Sequence, residues 1–398
     1  MKALLVEPRP SRTWGVNNQC IGLLRIARWL TEQGHAVEYV IAPNMPKVRP
    51  DEIWITSMFT YDYRNVWEAI KIYGKIFSGV TVHLGGVYAT ICPDHAAGAG
   101  ADDLMIGQHP EAKEFCPMPS VLPTPAKFAY LFTSYGCNRA CTYCATHLLY
   151  GDGIRQLEVE RVVDDIQRLV SEGFEEIWLG DDNLLYNAEN HLNLICQELI
   201  RRHSKARISV FGGMAAKDLT LETARLMKTA GFKTVSYALE SISADVRKRM
   251  GRANNATEED LLRALAIGDI VGFKRSETNV YHIIGLPYQQ IEDMVGTLVF
   301  LYSQGVWAHP QRLTPIPNTV DWQRMKLQGT DYADLHYQKF VAPDQDNFRG
   351  DDLHRIGRIA RFINIARRSS GGFDPLTDDH RVSLSFRKQI AYTTEAID

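Results

Sequence analysis

The sequence predicts an α/β protein: an N-terminal doubly wound, Rossmann-like parallel sheet, then a partial (β/α)6 barrel and a helical C-terminal tail. Three observations predict it. Short apolar runs alternate with stretches of helical period along residues 2–313. The segment CPMPSVLPTPAK, residues 116–127, carries four prolines in twelve residues, which resists helix and sheet and separates two such alternations. Beyond it lie six strand–helix units, too few to close an eight-stranded barrel. The expected division is 1–115, the linker 116–127, a barrel 128–322 and a mainly helical extension 323–398.

In the first part, residues 2–6 read as a buried strand ended by Pro8 and Pro10. Ile21, Leu24, Ile26, Ala27 and Leu30 give helical spacing over 19–33, and Gly34 ends that helix. Further strands are expected at 36–41, 53–56, 80–84 and 103–106, with a helix at 63–77. Ligands of such sheets bind beyond the carboxyl ends of the strands. Those ends are 8–15, 57–62, 85–91 and 107–110, and they mix aromatic with small residues. That mix suits a large flat ligand approached closely by backbone. Equally, the glycines can serve only tight turns and the aromatics only packing. No GxGxxG follows the first strand, which disfavours a dinucleotide.

In the second part, strands are expected at 128–132, 176–179, 208–211, 234–239, 278–284 and 307–313. Helices are expected at 159–172, 188–203, 221–230, 258–271 and 291–304, with Gly173 and Gly231 as stops and Thr257 as an N-cap. The tail carries one further helix, 353–368.

Hydrophobic content of 45% supplies ample core, and a net charge of -3 gives no electrostatic reason for nucleic acid or an anionic membrane as partner. No run reaches the roughly 18 apolar residues of a membrane span. The start, MKALLVEPRP, reads as a strand rather than a signal peptide. The seven cysteines form no regular disulfide framework, so a reducing cytoplasm is expected.

Three of those cysteines, Cys137, Cys141 and Cys144, fall within one loop after the first barrel strand. Thiolates this close can face one point and hold a soft metal centre. Zinc with His147 as fourth ligand, an iron–sulfur cluster one ligand short, and plain packing all remain open at this point. GDDN at 180–183, ES at 240–241, GLP at 285–287 and PIP at 315–317 also fall at strand ends. Active sites of barrels gather there.

The Cys137, Cys141, Cys144 spacing with Tyr143 before the last cysteine resembles the signature of radical S-adenosylmethionine (SAM) enzymes. YALESISADVRKRMGR (237–252), YHIIGLPYQQIEDMV (281–295) and RLTPIPNTV (312–320) resemble segments of the branch that includes methylthiotransferases and cobalamin-binding radical enzymes. Asn318 stands where glycine is usual. HLGGVYATICPDH (83–95) resembles the cobalamin-binding domain that precedes the barrel in one large subgroup, without its DxHxxG motif. The resemblance implies a [4Fe-4S] cluster on the three cysteines. It implies SAM contacts from Tyr143, Gly180, Asp181, Asp182, Glu240, Ser241, Ile284 and Ile316, with Arg252 meeting the SAM carboxylate. It implies cobalamin contacts from Trp14, Ser57, Phe59, Thr60, Gly85, Gly86, Tyr88 and Thr90.

The function so implied is a cobalamin-dependent radical C-methyltransferase acting on an unactivated carbon of a natural product or of a peptide or protein residue, reduced by a donor such as flavodoxin or ferredoxin. Rival readings are a cobalamin-independent radical enzyme and a non-enzymatic metal-binding protein. A second cluster on Cys20, Cys92 and Cys116 is a further reading, against burial of those thiols as small hydrophobes.

Overall fold

The computed structural model describes residues 1–8, 19–252 and 256–369. The first sheet is parallel, with β1 (Lys2–Glu7), β2 (Ala36–Ile41), β3 (Glu52–Ser57), β4 (Thr81–Gly86) and β5 (Asp103–Leu104) in the order β2-β1-β3-β4-β5. Alternate side chains serve its two faces. Leu4, Val6, Ile53, Ile55, Val82 and Leu84 pack on the helix Tyr63–Ile76 side, while Ala3, Leu5 and Trp54 pack on the helix Ile21–Glu32 side. β4 runs two residues past the expected end, so Gly85 and Gly86 close the strand instead of forming a loop. β5 is two residues long, shorter than expected.

The second sheet begins with β6 (Phe128–Leu131). An antiparallel hairpin follows, β7 (Ser134–Cys137) with β8 (Gly153–Gln156), and was not expected from the sequence. Then come β9 (Glu176–Leu179), β10 (Ile208–Val210), β11 (Phe232–Glu240), β12 (Thr278–Ile284) and β13 (Trp307–Arg312). The order β13-β12-β11-β10-β9-β6 is parallel throughout, and its two edge strands do not pair. This is an open, partial barrel. Helix Glu258–Val271 starts with the expected Thr257 in a capping box with Asp260. The single helix expected over 188–203 is broken. A 3-10 turn, Ala188–Asn190, precedes the helix Leu192–Arg201, because His191 turns inward and its Nε2 meets the Leu157 carbonyl at 2.9 Å.

Three contacts set the two sheets against each other. The Gln19 amide mimics a strand: Nε2 donates to the Phe128 carbonyl at 2.6 Å and Oε1 accepts from Tyr130 N–H at 3.0 Å. Buried Arg28 donates to Glu172 at 2.6 Å and to the Pro117 carbonyl of the linker at 3.4 Å. On the far side, the segment after β13 returns to the first sheet, where Asn318 donates to the Ile91 carbonyl at 2.9 Å and Tyr63 to Asp331 at 3.0 Å. The last described helix, Gly350–Ser369, lies on β13, with Asn364 exchanging hydrogen bonds of 3.1 and 2.6 Å with Ala308. The carboxyl ends of both sheets therefore face one region.

Candidate active site at the cysteine hairpin

The hairpin exists because of one backbone position. Gly136 has φ 89°, and a Cβ there would lie 2.4 Å from the Gly153 carbonyl oxygen across the pair. Only glycine lets the two strands meet. Cys137 ends β7, so the first thiol is carried by a strand rather than by a free loop. The remainder is pinned from three sides. Thr142 N–H donates to the Met250 carbonyl, and its hydroxyl donates to buried Asp321 at 2.8 Å. Arg139 pairs with Asp218 at 2.6 Å.

The GDDN segment holds the same hairpin. Asp181 is fully buried and accepts from Thr133 N–H (3.1 Å), the Thr133 hydroxyl (2.7 Å) and the Ser134 hydroxyl (2.7 Å). Burial pushes its carboxyl above the usual range despite those donors. Asp182 accepts from Gly136 N–H at 3.2 Å and the Thr146 hydroxyl at 3.2 Å, and Asn183 donates to Asn138 at 3.1 Å. This corrects the expectation for Asp181. Its carboxylate is committed to the root of β7 and is not free for a ligand's ammonium. At Gly180, a Cβ would meet the Phe132 ring at 2.9 Å, so glycine here admits that ring.

The cysteines of the loop lie close enough to influence one another electrostatically. Burial, first of all, raises the pKa of Cys137, which also feels Cys141 and Cys144, and of Cys144, which also feels Cys141. Cys144 Sγ lies 3.1 Å from the Thr146 hydroxyl and accepts from Thr146 N–H at 3.5 Å. Cys141 Sγ accepts from Arg252 Nη1 at 3.5 Å. Among the described residues no three His, Cys, Asp or Glu side chains are placed to share one metal ion, and His147 is exposed. Three cysteines on one short loop, the first at a strand end, are a donor set that suits an iron–sulfur cluster.

Beside the thiols, the Tyr143 hydroxyl donates to Glu240 at 3.0 Å. Glu240 ends β11 with φ 68°, a conformation rare for a non-glycine residue, and is 7% exposed. Burial raises its carboxyl pKa, against the lowering effects of Arg252 and Tyr143. A buried strained acid at a strand end beside a metal-ligand loop marks a functional position. Three other expected SAM contacts sit elsewhere. Ser241 is fully buried and forms a turn, its hydroxyl accepting from Ser243 N–H at 3.1 Å. Ile284 belongs to the core between strands and helices, because the alternation along β12 sends it outward with Val280. Ile316 packs against the core of the first sheet. Arg252 faces Cys141 and the Ala238 carbonyl.

A cavity of about 320 Å³ lies where the two sheets face each other. Ser57, Gly85, Gly86 and Thr90 line it from the first sheet, and Phe132 and Tyr135 from the hairpin side. Three expected cobalamin contacts do not line it. Tyr88 turns into the core, where its hydroxyl meets His95 Nδ1 at 2.5 Å and accepts from Trp67 at 3.2 Å. Residues 87–91 are helical rather than extended, which rotates that side chain inward. Phe59 stacks on Tyr61 at 5.1 Å in a separate cluster, and Thr60 is buried in a 3-10 turn. Trp14 lies outside the described residues.

The sequence reading missed Arg25 and Tyr135. Arg25 is 3% exposed, lines the cavity and lies 5.2 Å from the Tyr135 ring centre. Its Nε and Nη2 have no hydrogen-bond partner among the described residues. An arginine within an apolar helical face was the available signal.

Cys20, Cys92 and Cys116 fall in three separate packing clusters, so the second-cluster reading fails on placement. Cys20 is buried beside Glu7, which accepts from the Tyr39 hydroxyl at 2.7 Å. Burial raises the Cys92 thiol pKa to about 11.

Residues 131–301 match the family model of the radical SAM superfamily. Over 90% of this chain and 91% of its own length, an uncharacterized methyltransferase of Pyrococcus horikoshii is 25% identical. The ribosomal protein uS12 methylthiotransferase RimO of Parabacteroides distasonis is 23% identical over 55% of each chain. Among solved structures, the radical SAM methyltransferase TsrM of Kitasatospora setae superposes with a TM-score of 0.62 at 16% identity, covering 81% of this chain and 75% of that one. That likeness includes the Rossmann-like sheet ahead of the partial barrel. The chain thus carries a stretch, residues 131–301, that matches the radical SAM family model, set behind a Rossmann-like sheet in a fold like that of TsrM.

Proposed function

We propose that this radical SAM enzyme is a cobalamin-dependent C-methyltransferase, with Cys137, Cys141 and Cys144 as its cluster ligands. One observation carries the cobalamin part: a single cavity is lined both by the carboxyl ends of the first sheet and by the cysteine hairpin. Its residues fit a corrin. Gly85 and Gly86 leave bare backbone for a flat face. The unpartnered donors of Arg25 match the amide carbonyls at a corrin's edge. TsrM, of the same fold, has been solved with cobalamin and a [4Fe-4S] cluster bound.

Cys137, Cys141 and Cys144 would hold the cluster, which would supply one electron for the reductive cleavage of SAM, and cobalamin would carry the methyl group. The chain's own residues bind, orient and exclude water. Glu240, at the end of β11, accepts from the SAM ammonium or ribose. Ionisation of its carboxyl is favoured once that cation replaces water beside it. With the Asp181 carboxylate committed, the ammonium contact at Gly180-Asp181 falls to main-chain carbonyl. Asp181 and Asp182 keep the thiols in place. Substrate is a small molecule or peptide, and the reductant is a low-potential donor of the flavodoxin or ferredoxin class. Among the described residues no helix is long and apolar enough to cross a membrane.

The test is anaerobic turnover of the chain reconstituted with iron, sulfide and hydroxocobalamin. Equal yields of 5′-deoxyadenosine and S-adenosylhomocysteine, with corrin absorbance retained after desalting, are expected. 5′-Deoxyadenosine alone, from protein that retains no corrin, would refute the methyltransferase reading and leave the radical one.

A further inference from the structure

Arg252 is buried at the back of the cysteine loop, immediately after Gly251. Its Nη1 lies 3.5 Å from Cys141 Sγ and its Nη2 lies 3.2 Å from the Ala238 carbonyl on β11. A guanidinium stays protonated in a protein, so the group facing Cys141 is a cation. Arg252 thus brings a formal charge directly onto a cysteine of this motif. Cys144 has only the neutral hydroxyl and N–H of Thr146. Arg139, which acts on Cys137 electrostatically, is already paired with Asp218 at 2.6 Å.

We infer that Arg252 sets the reduction potential of the cluster, rather than only recognising the SAM carboxylate. This rests on Cys137, Cys141 and Cys144 being cluster ligands. Hydrogen bonds to cluster sulfurs, net charge and solvent exposure set such potentials. A buried cation hydrogen-bonded to a ligand thiolate favours the state with one electron more. The step is a plain one-electron transfer: an external low-potential donor loses one electron, the cluster gains it, and no bond or proton moves. Arg252 is thus a positioning residue whose effect reaches the electron through Cys141. Its placement ties three elements: the cysteine loop, the end of β11 and the turn after the helix Ala244–Arg249. A shift of β11 on ligand binding would carry the guanidinium with it and alter the ease of reduction.

The test is a potentiometric titration of the full chain after anaerobic reconstitution, read by the paramagnetic signal of the reduced cluster. Dithionite serves as reductant, and parent, Arg252→Gln and Arg252→Lys are compared. Arg252→Gln, which removes the charge, is expected to lower the one-electron equilibrium constant about tenfold. That is a midpoint more negative by about 59 mV. Arg252→Lys, which keeps the charge but not the forked donor, is expected to shift in the same direction by less. Iron and sulfide per chain should equal the parent's in both. If Arg252→Gln holds no cluster, Arg252→Lys decides. Either variant with full iron content and the parent's midpoint, or a higher one, overturns the inference. A parent chain that binds zinc and no sulfide overturns the cluster assignment itself, which is a different failure.

Discussion

Asp181 separates two roles that the sequence cannot distinguish. As an anchor, its carboxylate holds Thr133 N–H, the Thr133 hydroxyl and the Ser134 hydroxyl, all at the root of β7. Asp181→Ala removes the common acceptor and leaves three buried donors without a partner. Each such donor costs about 1–3 kcal/mol. The loss is offset in part, because the raised pKa shows that burying this carboxyl is itself unfavourable. Removing one member of a buried charged group costs about 3–5 kcal/mol, and the net here belongs in that range. Asp181→Asn keeps one acceptor oxygen and aims an amide NH2 at donors, so about half the cost is expected. The assay is urea unfolding of the iron-free chain, with iron and sulfide per chain measured separately after reconstitution. Both stability and iron retention should fall, in the order parent, Asn, Ala. An Asp181→Ala chain within about 0.5 kcal/mol of the parent, holding full iron but binding SAM weakly, would make the carboxylate a ligand group and refute the anchor.

Three further outcomes follow from the same geometry. Gly136→Ala places a Cβ 2.4 Å from the Gly153 carbonyl, so the hairpin must open; iron content after reconstitution should collapse while the corrin absorbance of added cobalamin persists. Gly86→Ala, with φ 101° and a Cβ 2.5 Å from the Ser57 carbonyl, splays β3 from β4 beneath the cavity, and should show the reverse: cluster retained, corrin lost on desalting. His282 is fully buried on β12, and neither ring nitrogen has a hydrogen-bond partner among the described residues. Burial first, then His309, lowers its pKa to about 3. Its folded-state value lies below the unfolded one, so its contribution is intact above about pH 6.5 and is lost progressively as pH falls toward the folded value. His282→Leu should therefore flatten the decline in urea midpoint between about pH 6.5 and about pH 5, and leave stability at neutral pH equal or higher.

The fold was legible because its signals are local and repeated. Ile53 and Ile55 alternate on one strand, Val162, Val163, Ile166 and Leu169 recur on one helix, and Thr257 caps another. The cysteine hairpin was illegible for the opposite reason. Its strands are four residues each, and residues 138–152 intervene. Nothing in SYGC or GIRQ names the other as partner. The pairing is fixed by Gly136 and by Asp182, whose carboxylate comes from the end of a different strand. Tyr88 was misplaced by a smaller error. Its position after Gly86 implies an exposed loop side chain only if the backbone stays extended, and it turns helical at Val87.

The site residues divide along the same line. The cysteines and Glu240 could be named because the chemistry requires those residue types, whatever holds them. The rest depends on how two sheets meet, and no strand-by-strand reading contains that. Gln19 pairs with the main chain of β6, which brings the helix Ile21–Glu32 against the edge strand of the barrel. Arg25 then faces Tyr135 from the opposite sheet, and a helix that should have been only scaffold becomes a wall of the cavity. The same contact explains why the hairpin needs two buried aspartates behind it. β7 is pressed from the front by the first sheet while carrying Cys137 at its end. A loop of ordinary stiffness would yield; one tied at Thr133, Ser134, Gly136 and Thr146 cannot. The acids that look like ligand groups in the sequence are thus consumed in making the cysteine loop rigid.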